Sequence, residues 1–83
     1  MNRLQEKYSD FKNAVARLGE SIGEYERFPN TTMRDGVIQR FEFTEELAWK
    51  TAKVFLEDQG FTELNSPKTV MKQAFKYGLI TNV

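Results

Sequence analysis

The sequence predicts an all-α fold of three helices, the middle one longest. Three observations carry that prediction. Apolar residues recur at steps of three and four, and no segment shows the alternation of a half-buried strand. Gly, Pro, Ser and Thr fall where helices start and stop. At 83 residues the chain holds one domain, residues 1–83, with room for only a small core.

The first helix is expected over residues 2–23. Leu4, Tyr8, Phe11, Val15, Leu18 and Ile22 form its apolar stripe, and Ala14 widens it. Gly19 weakens the helix and Gly23 is the expected stop. Glu6, Lys7, Asp10, Lys12, Arg17 and Glu20 make the solvated face.

A linker is expected over residues 24–31, with Phe28-Pro29-Asn30 as a turn. Thr32-Met33-Arg34-Asp35 then fits a capping box with Asp35 in the acidic position. The second helix should run to about Gln59 and stop at Gly60. After a second linker, Ser66-Pro67 starts the third helix, with Ser66 as N-cap and Pro67 at the first helical position. Val70, Met71, Ala74 and Phe75 are its stripe, and Gly78 is its stop.

The middle helix holds the most informative stretch, RFEFTEELAWK at residues 40–50. At 100° per residue, Val37, Ile38, Phe41, Ala48, Trp49, Ala52, Phe55 and Leu56 fall on one broad face, bordered by Thr44 and Thr51. Phe43, Leu47 and Val54 form a second ridge roughly opposite Trp49. A helix apolar this far round needs neighbours on more than one side. Two other helices cover part of it. A fourth helix, or a second copy of the chain, closes the rest as a four-helix-type bundle. Phe41, Phe43, Leu47, Trp49 and Val54 are therefore the candidate core or interface residues, and Trp49 reads as core before ligand platform.

Between the two apolar faces runs a polar strip that includes Gln39, Glu42, Glu46 and Lys50. Glu46 and Lys50 stand at i, i+4 in the favourable order, whereas Glu42 and Glu46 repel unless a cation is near. The strip is either a solvated salt-laced surface or the polar wall of a groove that holds a ligand or a partner. Glu45 falls at the edge of the broad face, where it reaches solvent or pairs across an interface.

Composition excludes several function classes. Twelve Lys and Arg balance twelve Asp and Glu, which argues against direct nucleic-acid binding and against a polybasic membrane anchor. No apolar run approaches the roughly 20 residues of a membrane helix, and the N-terminus has no signal-like apolar stretch. The expected setting is cytoplasmic. With no Cys and no His, neither a thiolate zinc site nor a Glu-x-x-His di-metal site can form. The reading assigns no metal site, no cofactor and no catalytic residue.

The run from Arg34 through Lys50, continuing through Thr51–Leu56, Gly60, Ser66-Pro67 and Ala74–Ile80, resembles the nucleotidyltransferase substrate-binding protein family, which is related to the HEPN helical domains. The resemblance implies an up-and-down antiparallel bundle that forms a homodimer. It also implies a separate partner, a minimal nucleotidyltransferase that carries the nucleotide and metal chemistry, while the helical protein helps to bind its substrate. In related pairs the helical protein is the toxin or antitoxin member.

Gln39, Glu42, Glu46 and Lys50 match the family motif, so they are the candidate substrate- or partner-binding residues. Two departures matter. Family members usually carry an aromatic where this chain has Glu45. They also continue past Gly78-Leu79-Ile80 into a helix with an Arg-Asn and His motif, which in RNA-cutting relatives supplies the catalytic pair. This chain stops at Val83 without that motif, so the pair is not carried over, and the expectation is a chain shortened at its C-terminus relative to the family.

The reading reached is a non-catalytic binding subunit of a two-component nucleotidyltransferase. The alternatives are an RNA-cleaving toxin relative that has lost its motif and a self-associating helical module without a ligand.

Overall fold

The computed structural model describes residues 2–80, so the ends of the expected domain, residue 1 and residues 81–83, lie outside the described residues. Three helices follow one another: α1 (Arg3–Arg27), α2 (Thr31–Asp58) and α3 (Pro67–Tyr77). They form an all-α helical bundle, with no strand among the described residues.

α1 begins in a capping box: the Asn2 side chain accepts from the Gln5 N–H at 2.8 Å, and the Asn2 N–H donates to Gln5 Oε1 at 3.1 Å. The expected stop at Gly23 is corrected, because α1 runs four residues further to Arg27. A single Gly costs a helix only about 1 kcal/mol, and the half-buried Tyr25 continues the stripe beyond it. Pro29 is the true stop, since it disfavours helical geometry at Phe28. Phe28 leaves the helix at φ −135 while its N–H still donates to the Glu24 carbonyl.

The start of α2 is also corrected. Asn30 is the N-cap, accepting from the Met33 N–H at 2.8 Å, so Thr32 and Asp35 already lie inside the helix. Asn outranks Thr as a cap. Asp35 instead lies 3.5 Å from Arg34 on the surface.

The far end of α2 matches the sequence reading. Gly60 takes φ +95, its N–H reaches the Glu57 carbonyl, and the Phe61 N–H reaches the Leu56 carbonyl, each at 3.0 Å. This double closure ends a helix when the residue past the cap is left-handed. α3 begins as expected, with Ser66 accepting from the Thr69 N–H and Pro67 following. It ends at left-handed Gly78, where the Leu79 N–H donates to the Ala74 carbonyl at 2.9 Å.

α1 and α2 pack antiparallel along a seam of small residues. The Thr44 hydroxyl donates to its own helix at the Arg40 carbonyl (2.7 Å) and lies 3.3 Å from the Ala14 carbonyl of α1. Two turns on, the Thr51 hydroxyl bonds the Leu47 carbonyl at 2.7 Å and lies 3.2 Å from the Lys7 carbonyl. As the α2 number rises the α1 number falls, which fixes the direction. The two threonines, read from the sequence as bordering the apolar face, are the centre of the contact. Each hydroxyl proton is shared between two carbonyls, so a polar group sits in the seam without an unmet bond. No buried side-chain N or O among the described residues lacks a partner.

The apolar core lies elsewhere, between the C-terminal half of α2, the linker and α3. Leu56, Leu64, Val70 and Ala74 are buried together, with Trp49, Ala52, Phe55 and Phe61 packed around them. Tyr77 closes the end of this cluster, its ring edge-on to Phe55 at 5.3 Å and to Phe61 at 6.0 Å, and its hydroxyl bonds Gln59 at 3.2 Å. The linker enters the core through Leu64, which follows Glu63 at φ +60. That left-handed turn is strained for a residue with a Cβ.

Among the described residues, α1 and α3 make no Cα approach within 8 Å; each packs on α2 alone. The molecule is accordingly drawn out, 46 × 30 × 20 Å.

Candidate functional site

α2 positions every residue singled out from the sequence, and the Thr44–Thr51 seam sets the direction each one faces. Gln39, Glu42, Glu46 and Lys50 fall on the side of α2 turned away from α1. Gln39, Glu42 and Glu46 are exposed and Lys50 is half-buried. The expected ion pair forms, with Lys50 Nζ 2.9 Å from Glu46 Oε1. Glu42 has no cation within ion-pair distance among the described residues. The four residues share one outer surface of the helix, and neither α1 nor α3 rises beside them to make a groove wall. Glu45 is exposed.

The candidate core or interface residues divide. Val54 is buried, and Leu47 and Trp49 are half-buried, with Trp49 against the core cluster. Phe41 and Phe43 stand out of the single chain, 56 % and 58 % exposed. They lie on opposite sides of the α1–α2 layer, because the seam passes between them at Thr44.

The sequence reading missed two concave regions. One is an apolar groove of about 520 Å³ between α1 and α3, floored by α2. Leu4, Tyr8 and Phe11 form one wall, Met71 and Ala74 the other, and Ala48, Ala52 and Phe55 the floor. It exists because α3 packs on α2 without reaching α1. The stripes of all three helices were legible. The gap between two of them was not, since it depends on how α3 crosses α2.

The second lies on the other side of the layer. Asp10, Asn13 and Arg17 of α1 and Arg40 and Phe43 of α2 surround about 240 Å³ above Ala14 and Thr44. Its charges are mixed, so it carries no strong field of either sign. Nothing in the periodicity marks it, since Asp10 and Arg17 read as part of the solvated face of the first helix.

None of these places holds a group of three or more metal-ligating side chains among the described residues. No helix among them is long and apolar enough to cross a membrane.

A family model described as nucleotidyltransferase substrate binding protein like matches residues 6–83. The chain belongs to this family. The match spans all three helices, so the family pattern includes the α1–α2 seam and the α2–α3 core as well as the polar strip. No curated protein matches the chain.

Proposed function

We propose that the chain is the non-catalytic, substrate- or partner-binding subunit of a two-component nucleotidyltransferase system of the toxin–antitoxin type. The family match over residues 6–83 carries this reading. The nucleotidyl transfer belongs to a separate minimal nucleotidyltransferase, and the helical chain acts beside it as a HEPN-like homodimer in the cytoplasm.

The outer strip of Gln39, Glu42, Glu46 and Lys50 is the proposed contact for the enzyme or its substrate. It is polar, with Gln39, Glu42 and Glu46 exposed and Lys50 half-buried beside them. Its carboxylates suit a partner surface that carries Lys or Arg. Such contacts set specificity and association rate more than raw affinity.

The test is the light-scattering mass of the chain coexpressed with the nucleotidyltransferase encoded beside it. A stable mixed complex, weakened by Glu42→Ala with Glu46→Ala, is expected. A helical protein that elutes without the enzyme, whichever nucleotidyltransferase is supplied, overturns the reading.

The open apolar groove favours a second reading, a self-associating module with no ligand. Under it, the same two substitutions leave every measurable association unchanged.

A further inference from the structure

Two arginines face each other across the α1–α2 seam, and neither is neutralised. The contacts of Thr44 with Ala14 and of Thr51 with Lys7 set the register of the two helices. One turn along from Ala14 and Thr44, that register brings Arg17 of α1 opposite Arg40 of α2. Both line the hollow of about 240 Å³ above Ala14 and Thr44. Both also line a second hollow of about 180 Å³ further along the seam. The pair therefore stands between two concave places rather than on a flat surface.

Neither guanidinium has a carboxylate within ion-pair distance among the described residues, whereas Arg3, Arg34 and Lys50 each have one. For Arg40 the helix offers none. The positions three and four places away from it hold Gly36, Val37, Phe43 and Thr44. Two like charges set across a helix contact oppose folding, so the packing of α1 on α2 gives no account of this pair. Phe43, three residues past Arg40 and so on the same side of α2, lines the first hollow and is 58 % exposed. Asn13 of α1 lines it as well, with an amide that can both donate and accept.

We infer that this hollow binds a small phosphate monoester, its phosphate held between Arg17 and Arg40 and an adjoining flat ring laid on Phe43. Charge selects the phosphate. A phosphate monoester carries about −1.5 to −2 at neutral pH and presents three acceptor oxygens. Two guanidinium forks match both the charge and the planar pairs of oxygens, while a single carboxylate would leave one arginine unmatched. Phe43 offers an apolar face of the kind on which flat rings stack.

The surroundings set the size of the ligand. Asp10 lies on one side of the pair along α1, and Glu20 and Glu24 lie on the other, each lining one of the two hollows. From Asp10 to Glu20 is about 15 Å of helix. A strand of duplex nucleic acid sets a phosphate about every 3.4 Å along its axis, so a polyanion laid along the seam meets these carboxylates at both ends. One phosphate fits between them. The mixed charge that denies the hollow a strong field at a distance thus restricts it to a compact anion at contact.

The inference rests on the substrate-binding part of the proposed function and names the chemistry of the ligand. Gln39 of the outer strip lines a neighbouring hollow with Arg40 and Phe43, so a ligand held here lies at the edge of the proposed enzyme contact.

The test is a titration of the isolated full chain, followed by the backbone amide signals of Asn13 and Thr44. The probes are inorganic phosphate, phenyl phosphate, ribose 5-phosphate and adenosine monophosphate. Phenyl phosphate is expected to shift both signals and to bind several-fold more tightly than inorganic phosphate. Arg17→Gln and Arg40→Gln are each expected to weaken binding about tenfold or more, as loss of a hydrogen bond to a charged group does. Thermal melts without ligand should show both variants at least as stable as the natural chain, because a repulsion has been removed. Phe43→Ala should erase the preference for phenyl phosphate and leave inorganic phosphate bound as before.

The last two probes separate the sources of the phosphate. Adenosine monophosphate binding at the level of phenyl phosphate supports a nucleobase as the ring. Ribose 5-phosphate binding more tightly than phenyl phosphate overturns the role given to Phe43. Signals that stay still with every probe overturn the inference, and so does binding that survives both arginine substitutions. These readouts use no enzyme. Failure of the chain to associate with a nucleotidyltransferase therefore strikes the proposed function and leaves the phosphate site standing.

Discussion

The two halves of α2 have similar apolar content and opposite fates. In the C-terminal half, Val54 and Leu56 are buried, and Trp49, Ala52 and Phe55 pack against Leu64, Val70 and Ala74. In the N-terminal half, Ile38, Phe41 and Phe43 are all about half exposed or more, and only the small Thr44 is buried. Residue type does not explain the contrast, since Phe41 is as apolar as Phe55. The neighbours do. α1 runs beside both halves, but α3 and its linker reach only one. In a chain this small, burial follows the position of the last element, and α2 is a helix whose packing is only half complete.

The sharpest way to break the comparison is to cut one large side chain from each half. Leu56→Ala removes a fully buried side chain at the centre of the cluster and is expected to cost about 2–5 kcal/mol. In a domain whose total stability is of the order of 5 kcal/mol, urea melts should show a largely unfolded chain. Phe41→Ala in the dilute single chain should cost only tenths of a kcal/mol, the range of exposed substitutions. Its larger effect should appear as a changed concentration dependence of the melt. Equal costs at low concentration overturn the contrast between the halves.

Gly78→Ala probes what holds α3 in place. The backbone there sits at φ +94, where a Cβ is strained even though open space surrounds it. The expected cost is about 1 kcal/mol, read from denaturant midpoints. Because α3 makes the buried half, the loss should be visible in Trp49 fluorescence.

The same elements show what was legible in the sequence and what was not. α3 could be read from Ser66-Pro67 to Gly78, because cap, proline and glycine each act within a few residues of chain. The stop of α2 at Gly60 was legible for the same reason. The helical wheel also grouped Gln39, Glu42, Glu46 and Lys50 correctly on one side. What that side faces was not legible, since it depends on where α1 and α3 lie in space. The 100° spacing places Thr44 and Thr51 at the margin of the apolar face. They are the seam itself, since their own helix accepts the hydroxyl proton and their small size lets α1 approach. Leu64 could not be found by periodicity, because a lone apolar residue in a short linker has no repeat. Its burial depends on the left-handed turn at Glu63.

A smaller effect tests the open half at its start. The sequence favours Thr32 as the cap of α2, while Asn30 is the side chain that bonds the first turn. Asn30→Ala is expected to cost about 1 kcal/mol and Thr32→Ala only a few tenths, both read from urea midpoints. Hydrogen exchange should show the Asn30 loss as fraying of the first turns of α2, with the core around Leu56 still protected, because the N-terminal half lacks the packing that ties a helix end to the rest. Protection lost evenly along α2 would mean that the two halves open as one unit.

The smallest effect concerns the boundary between the halves, where Lys50 meets Glu46. The pair is short at 2.9 Å, but the side chains are 43 % and 54 % exposed. Solvent and salt therefore screen the attraction, and holding two long side chains together costs entropy, so exposed pairs of this spacing contribute about 0.3–0.5 kcal/mol at most. Lys50→Ala is accordingly expected to lower stability by no more than about 0.5 kcal/mol, with less effect in high salt. A loss well above that range, insensitive to salt, would show that Lys50 works through packing against the core. The informative comparison is with enzyme association in the coexpressed complex. A stability loss this small combined with a clear loss of binding identifies the strip as a docking surface, because one ion pair cannot account for both. Equal, small losses in the two measurements leave Glu46 and Lys50 as a solvated pair and move the enzyme contact off this face of α2.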